Sequence, residues 1–244
     1  MTLDRTVYLD HLARESAALA DAAAAAGPAA DVPTCPGWTV TDLLRHAAGG
    51  DNWARLIVET GSREGVPSEL PADAPTGDAL VARYRDGADA LVHTLTDADP
   101  TASVWTFSPV DRTTMFWVRR RAHETTVHRV DGQTAAGAVD PLDPAFASDG
   151  IDEYLMVFAA RFGKGLADLG GSIHLHCTDV EGEWLIVPSA DGIVVTREHA
   201  KGDVAARGRA EDLLLHLWGR RDASTLELFG DAALLERFVG AVNV

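Results

Sequence analysis

The segment RRRAHETTVHRVDG, residues 119–132, concentrates the groups of this chain that could do chemistry. On a helix, Trp117, Arg121, Glu124, His128 and Asp131 fall on one stripe at steps of four, three, four and three. Glu124 and His128 are then about 40° apart and can point at one atom. His123 and His128 are about 140° apart. HETTVH is therefore one residue too long for the two-histidine zinc helix HExxH, and a metalloprotease reading fails on geometry. An i,i+4 Glu–His pair is also an ordinary surface pair, so the spacing alone leaves a metal site and a solvated helix face both open.

A third ligand is needed, and His46 in LLRHAAGGDNW is the best candidate. It flanks the apolar face of its helix, and Gly49 and Gly50 on its side leave room for a ligand or a close backbone. Glycines there cost helix stability. Histidine from one helix and Glu/His from another is a common way to build a metal site in a bundle. Three protein ligands leave a coordination position open, as in catalytic sites. Asp131 fits a carboxylate that orients a ligand, or a turn residue before Gly132. Arg121 is the arginine of the 119–121 run that faces the stripe. His174 and His176 share one face of a strand, where either metal binding or solvent exposure is open. His11, His93, His199 and His216 read as surface residues. Cys35 in TCPGW reads as a buried loop cysteine, and Trp38 and Trp53 as core.

These residues need elements to hold them. Residues 3–26 read as a helix ending at Gly27-Pro28. The loop VPTCPGWTV (32–40) leads into a second helix, with Thr39 and Asp42 spaced as a capping box that uses Asp in place of Glu. After a Gly/Pro-rich loop at 61–77 a third helix carries Leu80, Tyr84, Ala88, Leu91 and Leu95 on one face. A fourth runs from about 114 to 130 and a fifth over about 149–162. The texture then turns β-branched at 173–177, 183–188 and 192–197, with a hairpin at Asp191-Gly192. A helix at 209–219, a strand at 225–229 and a helix at 231–241 close the chain. The expected fold class is α+β in two domains, a four- or five-helix bundle over 1–165 and a small α/β domain over 166–244.

The chain has 244 residues and a formal net charge of −16. That charge argues against nucleic acid and anionic membranes as partners. No apolar run is long enough to span a bilayer and no secretory signal is visible, so a cytoplasmic location is expected. Cys35 and Cys177 form no CxxC, so no disulfide framework or thiolate zinc site is suggested.

VPTCPGWTVTDLLRHAAG, RRRAHETTVHRVDG and LLLHLWGR (213–220) together resemble the mycothiol-dependent maleylpyruvate isomerase family, in the same order and across nearly the whole chain. The resemblance implies a DinB-like metal-binding bundle followed by a sterol-carrier-like α/β domain. It implies zinc held by His46, Glu124 and His128, mycothiol as co-substrate thiol, and an actinobacterial source. It maps the arginine of LWGR onto Arg220, which would help hold a carboxylate substrate, with Arg197 as a second candidate.

The expected activity is thiol-dependent catalysis. Zinc would ionise a thiol whose free pKa is about 8.5, and the thiolate would attack an electrophilic, unsaturated, carboxylate-bearing small molecule. Addition, rotation and elimination would give a maleylpyruvate-type cis–trans isomerisation. Adduct retention would instead be mycothiol S-transfer, and a non-catalytic metal-containing binder of apolar ligands is the reading from another class. Arg121, with Arg220 or Arg197, would supply positive charge in a cleft between the domains. The substrate, the thiol-binding residues and the oligomeric state are not written in the sequence.

Overall fold

The computed structural model describes residues 3–66 and 75–242. The stretch 67–74 of the Gly/Pro-rich loop, with Pro67 and Pro71, lies outside the described residues. The chain divides into two compact units, Leu3–Asp140 and a second that begins at Pro141. The division falls before the fifth helix, whereas the change of texture in the sequence suggests one near residue 165.

The first unit is a helical bundle of α1 (Arg5–Ala26), α2 (Val40–Thr60), α3 (Asp78–Asp97) and α4 (Thr114–Ala136). Thr39 caps α2 as its spacing predicts, since both bonds of the capping box with Asp42 form. α4 runs six residues past the expected end and stops at Gly137, whose φ of 88° suits a left-handed cap. It is enclosed along its length, with Arg120, Arg121, His123, Thr125, His128, Arg129 and Asp131 all buried. Of the arginine run, Arg119 stays half-buried while Arg120 and Arg121 are enclosed. Buried charge is tolerable only where it is paired. Arg129 accordingly donates from Nε to Glu15 Oε2 at 2.7 Å and from Nη1 to Gln133 Oε1 at 2.7 Å. Gly132 lets α1 approach α4: a Cβ there would lie 2.8 Å from Leu19 Cδ1. His11, expected on the surface, is buried beside Arg14.

In the second unit α5 (Pro144–Glu153) starts earlier than its apolar pattern suggests. Asp143 caps it through Phe146 N, and Pro144 occupies the first turn. It runs into a π-helical turn (Tyr154–Ala159) and the short α6 (Ala160–Phe162). The sheet has the order β3-β2-β1-β4-β5, with β1 (Ile173–Cys177), β2 (Glu183–Ser189), β3 (Gly192–Thr196), β4 (Val204–Gly208) and β5 (Glu227–Gly230). β1 and β4 run parallel and the other pairs antiparallel. β4 escapes a reading by hydrophobic runs, because its buried positions are Val204, Ala206 and Gly208, which are small. The register puts Ile173, Leu175, Trp184, Ile186, Val204 and Ala206 on one buried face. His174, His176 and Glu183 lie on the other. α7 (Ala210–Leu217) and α8 (Ala232–Ala241) complete the unit, and His216 on α7 is buried, not exposed as expected. Among the described residues no helix is long and apolar enough to cross a membrane.

Candidate metal centre

α2 brings His46 and α4 brings Glu124 and His128 to one point: one ligand atom from each lies within 4.8 Å of the others. His46 Nε2 stands 3.5 Å from Glu124 Oε1, and the two imidazole rings meet edge to face with centroids 4.9 Å apart. The i,i+4 step on α4 and the flank position of His46 on α2 produce this convergence.

Each donor is itself held. His128 Nδ1 is 2.9 Å from Asp131 Oδ2, one helical turn further on. That contact makes Nδ1 the protonated nitrogen and leaves the Nε2 lone pair for a ligand. Asp131 is fully buried and also accepts from Thr34 Oγ1 at 2.6 Å and Cys35 Sγ at 3.4 Å. Burial lowers the His128 pKa, against the raising effect of Asp131.

The loop that supplies Thr34 and Cys35 is shaped by its own backbone. Val32 N donates to Trp38 O, Cys35 N to Val32 O and Trp38 N to Cys35 O. Gly37 takes φ of 84°, which other residues adopt at a cost. The turn sets Trp38 against His46, with ring centroids 5.1 Å apart.

Glu124 Oε2 accepts from Arg121 Nη1 at 2.6 Å, while Oε1 faces His46. Burial works to raise the Glu124 pKa, but Arg121, the His46 contact, Arg120 and His128 outweigh it and hold the carboxyl well below its usual range. Arg121 also donates from Nε and Nη2 to Asp51 Oδ1 at 3.0 and 2.8 Å. One buried guanidinium thus braces two carboxylates. Burial pushes Asp51 up, against the pull of Arg121.

The structure brings His46, Glu124, His128, Asp131 and Arg121 into one constellation. The room beside Gly50 is taken by Arg121, since a Cβ on Gly50 would come within 3.0 Å of its Cζ. Arg220 follows α7, half-buried, and donates from Nη1 to Trp218 O at 2.7 Å. Arg197 is clamped by Asp152, at 2.6 and 2.9 Å. Trp117 belongs to an aromatic cluster with Trp53, Trp105, Phe107 and Phe116.

Sequence reasoning missed Asp51, Thr34 and the contact of Trp38 with His46. Asp51 had a signal: it sits between Ala47 and Ala54 on the apolar stripe of α2, where a lone acid needs a buried cation.

Residues 9–133 match the model of the mycothiol maleylpyruvate isomerase N-terminal domain, and residues 145–237 that of the MDMPI C-terminal domain. The chain belongs to the mycothiol maleylpyruvate isomerase family. The family takes its name from an enzyme. A crystal structure of the mycothiol-dependent maleylpyruvate isomerase resembles this chain with a TM-score of 0.65 at 16% identity, over 93% of this chain and 95% of that one. A histidine-to-alanine mutant of that isomerase gives a TM-score of 0.64 at 15% identity, over 93% and 95%. At this identity the likeness shows a shared fold. No match is found among curated proteins.

Proposed function

We propose that this chain is a metal- and mycothiol-dependent isomerase that converts a cis-unsaturated, carboxylate-bearing substrate of the maleylpyruvate type to its trans isomer, by thiol addition, bond rotation and thiol elimination. The observation that carries the reading is the convergence of His46, Glu124 and His128 within 4.8 Å, with His128 oriented by Asp131.

The donor set suits a divalent ion of the zinc class. Two neutral imidazoles and one carboxylate bring a single negative charge, so the centre keeps net positive charge for an anionic fourth ligand. When bound, such an ion lowers the pKa of a coordinated thiol from about 8.5, so that the sulfur is ionised at neutral pH. His46, Glu124 and His128 would hold the ion. Asp131 keeps the His128 lone pair turned toward the centre. Arg121 fixes Glu124 through Oε2 and leaves Oε1 as the donor, so Arg121 is a positioning residue. Trp38 walls His46 on the loop side. Arg220 is proposed to hold the substrate carboxylate, for which its planar fork is suited.

The test combines metal analysis with an isomerisation assay using mycothiol. Parent protein is expected to retain metal and to isomerise maleylpyruvate only with the thiol present. His46→Ala and Glu124→Ala are expected to lose both. A stable thioether product in place of the trans isomer would move the assignment to S-transfer. A fully active, metal-stripped parent would overturn the metal role.

A further inference from the structure

The face of the sheet opposite the apolar core carries a second cluster of metal-ligating groups. His174 and His176 alternate along β1, and the antiparallel register sets Glu183 of β2 directly across from His176. Three residues beyond the end of β3, His199 folds back over the same face. One ligand atom from each of the four lies within 4.8 Å of the others. His176 Nδ1 is 2.7 Å from Glu183 Oε1, and His199 Nδ1 is 2.7 Å from Oε2. The rings sit edge to face around the carboxylate, with centroids 5.5 to 6.2 Å apart.

Hydrogen bonding within the cluster does not account for His174. Its side chain is 92% buried, and its Nε2 has no hydrogen-bond partner among the described residues. Glu183 Oε2, which also faces His199 Nδ1, is 3.5 Å away, too long for a well-formed bond. A buried ring nitrogen aimed at a carboxylate it does not reach is an anomaly that needs an explanation. A cation at the centre removes it. Donors around a tetrahedral zinc stand about 3.3 Å apart, between the 2.7 Å contacts and the 4.8 Å limit observed. The required adjustments fall on His176 and His199, which are partly and largely exposed. The rigid wall is His174, whose position is fixed by the sheet and by Gly202: a Cβ there would lie 2.8 Å from His174 N.

We propose that His174, His176, Glu183 and His199 form a second, four-ligand site for a divalent ion of the zinc class. Three imidazoles and one carboxylate favour zinc, cobalt, nickel or copper over magnesium or calcium, which prefer oxygen donors. Four protein ligands close the coordination sphere, so the ion has a structural role. It ties β1, β2 and the segment after β3 together.

The experiment uses the full-length, chelator-treated protein carrying Glu124→Ala, which disables the bundle centre. Zinc binding is measured by equilibrium dialysis at neutral pH, with the same chain carrying also His176→Gln and His199→Gln as its comparison. Both added changes are at accessible side chains, and circular dichroism checks that each protein is folded. About one zinc per chain is expected in the first protein, with affinity at least about tenfold above the second. Equal binding by the two proteins, or none in the first at about 10 μM free zinc, overturns the site. The difference reads only this cluster, so it stands or falls separately from the bundle centre.

Discussion

Arg121 and Asp51 join α4 to α2 through two hydrogen bonds to one carboxylate oxygen, 3.0 Å from Nε and 2.8 Å from Nη2. Both side chains are at most 2% exposed. Removing one charge leaves the other buried without compensation, which costs about 3–5 kcal/mol. Arg121→Leu is therefore expected to lower unfolding stability by that amount in urea. Arg121→Leu with Asp51→Leu is expected to recover part of it, since Asp51 is then no longer stranded and only Glu124 lacks its guanidinium partner. A single variant as stable as the parent would contradict the pairing.

Asp131 ties His128 to the TCPGW loop. Asp131→Ala removes the acceptor of His128 Nδ1 and of Thr34 and Cys35. Loss of such a partner lowers metal affinity about 10–100-fold. Zinc competition against a chromogenic chelator reads this directly. Thr34→Val is expected to cost less, because His128 keeps its own bond to Asp131. Unchanged affinity in Asp131→Ala would remove the orienting role.

Gly50 and Gly87 both lie within helices, yet replacement by alanine is expected to act in opposite directions. Intrinsic propensity favours alanine by about 1 kcal/mol at either place. At Gly87 nothing stands within 4 Å of an added Cβ, so the gain is realised. At Gly50 the Cβ meets the guanidinium of Arg121, with Cζ at 3.0 Å. That group is pinned by Asp51 and Glu124 and cannot step aside without loosening both. Thermal melts should show Gly87→Ala above the parent and Gly50→Ala below it. Zinc affinity should fall only in the second.

Much of this architecture was legible because it follows local rules. The stripe on α4, the cap at Thr39 and the hairpin at Asp191-Gly192 depend on spacing within a few residues. Glu124 and His128 followed from helical geometry, and His46 from its place at the edge of an apolar face. What stayed hidden depends on distant partners. α4 carries arginines and histidines as a surface helix would, and is central only because Glu15, Asp51 and the Asp140 carbonyl come from elsewhere to bond to its arginines. The room read at Gly50 was real, but its occupant is a side chain 71 positions away in sequence. β4 was silent because small residues pack where the sheet is crowded. His199 joins its cluster only through the fold of the segment after β3.

The pH dependence of stability should carry the signature of Glu124. Its carboxyl is held below the ordinary value of 4.5, so the folded chain releases that proton more readily than the unfolded one. The stabilisation is therefore full above about pH 4.5 and is lost as pH falls through the lower, folded value. His128 acts in the same sense at higher pH. Burial lowers it from 6.5, so acidification through that value protonates the unfolded chain first and stability falls. Asp51 opposes them, because burial raises it and protonation there favours the folded chain. The net charge of −16 also shrinks on acidification, which eases self-repulsion. A difference measurement cancels these shared effects. Urea unfolding of metal-free parent and Glu124→Gln, stepped from pH 7 to pH 3, should show a parent advantage of about 1–3 kcal/mol at neutral pH. That advantage should shrink below about pH 4.5. A gap that stays constant over the whole range would mean that the Arg121–Glu124 contact contributes nothing through charge.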